Sequence, residues 1–229
     1  SQMRLELTRR GSSKGVFTMT NAQQARTARR KKTLWLVETA LLAAVVILMS
    51  FTPLGYLKTA GVEITFIMIP VVIGSITLGP AAGAILGGLW GVTSFIQCFG
   101  MSAFGTALLG INPVLTFIVC VPTRILAGWL SALIFVAFKK LLGDKKARFI
   151  GCPIASLAVA LINTALFVTL VIVLFGNSDY ISGMRGGMGF VQFFAAFVGL
   201  NGVIEAAVTF VVGGAISTAL LGYLGKHAE

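Results

Sequence analysis

An arginine, two asparagines and a glutamate, Arg124, Asn163, Asn201 and Glu205, stand inside long apolar stretches of a 229-residue chain. Burying an amide without a hydrogen bond, or a charge without a partner, costs free energy, so each of these groups needs something to hold. For Arg124 two readings stand. Its planar fork can grip the carboxylate of a small anionic ligand by two charge-assisted hydrogen bonds, or it can pair structurally with Glu205 or with helix carbonyls. Asn201 and Glu205 are four residues apart and share a helical face. Asn163 and Asn201 serve either as ligand contacts or as helix-to-helix hydrogen bonds. Near the ends of neighbouring stretches, Tyr56, Lys58, Glu63, Gln97, Ser102 and Asn112 are ordinary solvated loop residues, or they complete the same site by closing over it. Glu38 lies close to the basic cluster Arg29–Lys32 and reads as structural or as part of a partner contact. Trp35, Trp90 and Trp129 read as core or interface anchors.

Other chemistries lack material. The one histidine, His227, is three residues from the end, and neither HExxH nor GxxxxGK[ST] occurs. His-dependent catalysis and a Walker-type nucleotide site are thereby excluded from the expectations. Cys98, Cys120 and Cys152 are odd in number and have no metal-like spacing, so they read as packed thiols rather than a disulfide framework or a zinc site. No cofactor is expected. An intramembrane enzyme would have to work with Glu38, Glu63 or Glu205 alone, without His or paired carboxylates.

The elements that must position these residues are six apolar runs: Thr33–Phe51, Ile64–Leu78, Ala81–Phe99, Pro113–Phe138, Phe149–Phe175 and Val191–Leu224. With 57% hydrophobic and 11% charged residues, the chain has too little polar surface for a water-soluble domain of its size. The expected fold is an all-α integral membrane protein of six transmembrane helices. Nine Lys/Arg fall in residues 1–32, five in Lys139–Arg148 and one at Lys226, which is fifteen of the 18; Lys58 and Arg185 fall on the other side. The positive-inside rule then places both termini in the cytoplasm. The net charge of +11 sits in short segments flanking the runs, which suits anionic headgroups rather than nucleic acid. The chain divides into a basic segment 1–32, a six-helix domain 33–225 and a tail 226–229. Met19 is a candidate start with residues 1–18 upstream of it, and no cleavable signal peptide is expected.

Local signals refine this map. The first helix is expected to begin after Lys32, the preceding leader being disordered or lying on the membrane, and to end at Thr52-Pro53 before an outer loop, Pro53–Glu63. Gly79-Pro80 reads as a tight turn, and Pro70 should kink the second helix. Gly79, Gly83, Gly87 and Gly91 recur every four residues and leave one helix face nearly bare backbone. Cys98–Asn112 is expected as a loop, Asn112-Pro113 as an N-cap followed by a first-turn proline, and Gly183–Gly189 as a mobile loop. The last run is too long for one upright crossing.

The ordered series Ala40-Leu41-Leu42-Ala43-Ala44, Ile69-Pro70-Val71-Val72-Ile73-Gly74, Leu78-Gly79-Pro80, Gly83-Ala84-Ile85-Leu86-Gly87, Thr93-Ser94-Phe95, Arg124-Ile125-Leu126 and Asn201–Ala206 resembles the S components of energy-coupling factor (ECF) vitamin transporters. The resemblance runs from about Thr33 to Leu224 and is nearest in texture to the pantothenate-type branch. It implies six helices, a vitamin-sized cavity opening outward, no catalysis, and work with a T component and two ATPase subunits, docked through the small residues Ala40 and Ala44. The residues alone leave a stand-alone secondary transporter or channel as the alternative, with an intramembrane enzyme behind it.

Overall fold

The computed structural model describes the backbone of residues 2–53, 55–59 and 62–226, and side chains for residues 23–53, 55, 65–189, 192, 193, 199 and 202–223. The chain forms two units, residues 1–40 and 41–229. The first is helical from Gln2 and belongs to α1 (Gln2–Ser50), so the helix begins before Lys32 and the leader is helical rather than disordered. Lys, Arg, Gln and Ala are good helix formers, and an established helix propagates through them more readily than a new one nucleates.

In the second unit the expected outer loop is an antiparallel hairpin, β1 (Tyr56–Thr59) and β2 (Val62–Thr65), with Tyr56 opposite Thr65 and Lys58 opposite Glu63. The fold is therefore nearly all helical rather than all-α. Next come α2 (Met68–Leu78), α3 (Pro80–Gln97), α4 (Ala103–Ile111) and α5 (Pro113–Lys146). The 11 residues of α2 span only about 16 Å, half of a ~30 Å hydrocarbon layer. Pro70 does not kink it. As the third residue of the helix it occupies the first turn, where a missing N–H interrupts no intrahelical bond. Gly79 makes the expected turn, with φ 92°. The segment expected as a loop before Asn112 holds α4 instead, capped by the Ser102 hydroxyl accepting from the Gly105 amide at 3.3 Å.

The Asn112 cap is as expected: its Oδ1 accepts from the amides of Val114 and Leu115 at 3.0 and 3.2 Å. A break at Gly143, φ 74°, interrupts α5, and a π-helical turn, Ala147–Gly151, leads into α6 (Cys152–Phe175). The Gly183–Gly189 region is in part helical, as α7 (Asp179–Arg185). The last run is divided by a π-helical turn, Thr209–Gly213, into α8 (Phe190–Val208) and α9 (Gly214–Lys226). Residues 23–50, 113–175 and 202–223 form stretches long and apolar enough to cross a membrane. Within the second unit Leu48 is 65% and Val173 71% exposed, a surface suited to lipid tails.

The core that positions the site lies where α2, α3, α5 and α6 meet. Val71, Val72, Leu86, Trp90, Ala127 and Val159 are buried together there. Glycine makes this approach close: a Cβ on Gly83 would strike the Gly128 carbonyl, one on Gly87 the carbonyl of Arg124, and one on Gly91 would lie 2.8 Å from the Val121 Cα. Three of the four regularly spaced glycines thus form the bare face against α5. The fourth, Gly79, has nothing within 4 Å and is the turn residue.

Candidate functional site

Arg124, the twelfth residue of α5, is buried. Its backbone is pressed against α3 by Gly87, which fixes the root of the side chain. The guanidinium carbon lies 4.9 Å from the centroid of the Trp90 ring and 5.9 Å from that of Phe167, so α3 and α6 each supply an aromatic surface to the cation. Nη1 donates to the Cys120 carbonyl one turn earlier at 2.9 Å, while Nε has no hydrogen-bond partner. The expected bond to a helix carbonyl is present. The expected direct pair with Glu205 is not: among the described residues the one ion pair is Lys139–Asp144, 3.3 Å, on exposed side chains.

Two further polar atoms are buried without a hydrogen-bond partner, the Nε1 of Trp90, whose ring lies beside this cation, and the Asn163 Oδ1 on α6. Asn163 is one turn before Phe167 on α6, so the two share a face of that helix. The arrangement therefore offers two buried donors, the Trp90 indole N–H and the Arg124 Nε–H, and one buried acceptor, a combination that fits a carboxylate next to a hydroxyl or amide. Trp90 and Phe167 were not singled out as site residues by the sequence. The only available signal was that a buried cation needs an aromatic or anionic neighbour, which does not say which residue supplies it.

Glu205, buried on α8, accepts a 2.8 Å hydrogen bond at Oε1 from the Thr65 amide at the end of β2. It ties the hairpin to α8 and makes no ion pair with Arg124. Gln97, also buried, donates through Nε2 to the Ser50 carbonyl, and the Ser50 hydroxyl donates to Thr93 Oγ1 at 2.9 Å. Together these bonds fasten the end of α1 to α3. Asn112 is the α5 cap. The backbones of Tyr56 and Lys58 lie on β1 and that of Asn201 on α8, while their side chains lie outside the described residues. Ala40 and Ala44 are each exposed, as are Leu41 and Leu48.

The comparisons bear on what such a site serves. The chain is 34% identical over 149 residues to the pantothenate transporter PanT of Leuconostoc mesenteroides subsp. mesenteroides, an alignment covering 62% of this chain and 70% of that relative. Residues 35–217 match the family model described as ECF transporter, substrate-specific component, a stretch holding the aromatic-flanked Arg124 and the glycine-packed helices around it. The chain belongs to the family of substrate-specific components of ECF transporters.

Proposed function

We propose that this chain captures a small anionic vitamin, pantothenate, on the outer face of the bacterial plasma membrane and delivers it inward together with a T component and two ATPase subunits. The observation that carries this reading is the buried guanidinium of Arg124, held between Trp90 and Phe167 with Nε unspent and, among the described residues, no carboxylate within ion-pairing distance. A cation in apolar surroundings with unused donors is costly in the empty protein, and an incoming carboxylate relieves that cost. Asn163 supplies the acceptor for a ligand hydroxyl or amide N–H, and Asn201, Tyr56, Lys58, Gln97 and Asn112 complete or border the site. The relative's name supports the choice of pantothenate. In this reading the chain crosses the membrane six times with both termini cytoplasmic, since most basic residues then lie inside. Ala40 and Ala44, small and exposed, form the strip on which the T component docks.

The test is calorimetric titration of the purified chain with pantothenate, alongside uptake by proteoliposomes. Binding by the chain alone, with ATP-driven uptake only when a T component and two ATPases are added, is the expected result. Uptake by the isolated chain would make it a stand-alone carrier, and absence of binding would remove pantothenate as the ligand.

A further inference from the structure

Cys98, which caps the C-terminal end of α3, and Cys120, on α5, are 22 residues apart in sequence but bring their Sγ atoms to 3.9 Å. Both are almost fully buried, 4% and 5% exposed, among Val121, Phe95, Leu109 and Ile125. A disulfide needs an S–S separation of about 2 Å, so the sulfurs have about 1.9 Å to close. The helices are already in close contact beside them, because a Cβ on Gly91 would lie 3.0 Å from the Cys120 carbonyl oxygen. That same carbonyl accepts the Arg124 Nη1 hydrogen bond. Cys152, the third thiol, is buried in a different cluster, with Ala155 and Val159.

We propose that Cys98 and Cys120 are an oxidant-sensitive dithiol, converted by a hydroperoxide into a disulfide that pins the end of α3 to α5 and displaces Arg124 from its ligand-holding position. The burial excludes large or charged reagents and admits a small neutral peroxide. The Cys120 sulfur attacks one peroxide oxygen, the O–O bond breaks, and the Cys120 proton leaves in the first water, giving a sulfenic acid. The Cys98 sulfur then attacks that sulfur and expels the hydroxyl, which departs as a second water with the Cys98 proton. Two thiols and one hydrogen peroxide become one disulfide and two waters, the two electrons passing from sulfur to oxygen. Arg124 lends a positive charge beside the attacking sulfur. Its anchor is the Cys120 carbonyl, so movement of Cys120 is transmitted to the guanidinium. This second step rests on the ligand reading proposed above.

The test treats the full chain in detergent with hydrogen peroxide, quenches with catalase, denatures, alkylates with N-ethylmaleimide and weighs the intact protein. Three adducts are expected before oxidation and one after it, on Cys152, with three restored by dithiothreitol and a 98–120 cross-link in the peptide map. Cys98→Ser and Cys120→Ser should each yield no intramolecular disulfide. Pantothenate affinity of the oxidised wild type should fall roughly tenfold, since ångström-scale misplacement of an orienting group has effects of this order or larger, and it should return on reduction; a Cys98→Ala/Cys120→Ala double variant should keep its affinity in peroxide. Three adducts after peroxide, or a cross-link to Cys152, would overturn the dithiol. A complete disulfide with unchanged affinity would overturn the coupling to Arg124. Reduced protein that binds no pantothenate would overturn the ligand reading and the coupling with it, and the thiol count would still decide the disulfide.

Discussion

Replacing Arg124 with glutamine separates the two roles open to this residue. In the structure the guanidinium makes one recorded hydrogen bond, to the Cys120 carbonyl, leaves Nε unbonded and lies between two rings. A bidentate contact with a carboxylate would use two charge-assisted hydrogen bonds worth roughly 1.5–3 kcal/mol each. Glutamine retains about one neutral hydrogen bond of ~1 kcal/mol. The net loss for the acid is then roughly 2–5 kcal/mol, or about 30- to 5,000-fold in Kd. Pantothenol, the alcohol counterpart of pantothenate, has no carboxylate to lose and should weaken less than about tenfold. The ring contacts predict a separate loss of stability of ~1–2 kcal/mol, the same whichever ligand is titrated. Calorimetric titration of both compounds against wild type and Arg124→Gln, with thermal unfolding of each protein, distinguishes these terms. Equal weakening of both ligands would show that Arg124 acts only through packing. A folded variant with both affinities unchanged would remove Arg124 from the site.

Gly87→Leu should separate α3 from α5 at the Arg124 backbone, costing ~1–3 kcal/mol or more by overpacking; a lowered unfolding temperature in detergent checks it, and an unchanged one would contradict the close approach. Ala44→Trp should abolish uptake by the assembled transporter while pantothenate binding by the isolated chain persists, and equal loss of both would mean that the strip packs internally. Lys145→Cys in a cysteine-free background should resist membrane-impermeant maleimide in intact cells and react once cells are opened; labelling in intact cells would overturn the six-crossing map with cytoplasmic termini.

Local chemistry made much of this protein legible in the sequence. Apolar runs, the Gly79-Pro80 turn, the Asn112-Pro113 cap and the glycine spacing act within a few residues of themselves, so pattern alone locates them, and the glycine face does meet a neighbouring helix backbone. Arg124 and Asn163 were conspicuous because polar groups in apolar runs are conspicuous, and both are buried. The hairpin of β1 and β2, the short helices α4 and α7 and the brevity of α2 were not legible, since short elements depend on contacts from elsewhere in the chain. The end of β2, for example, is held by Glu205, 140 residues away. Tertiary structure alone decided that Glu205 bonds the Thr65 amide instead of Arg124, that Gln97 is used by the Ser50 carbonyl, and that Trp90 and Phe167 enclose the guanidinium. It likewise brought Cys98 to Cys120. Hydropathy reports which residues leave water, whereas the identity of each buried group's partner is set by helix packing at sub-ångström precision, which no residue spacing along a single chain encodes.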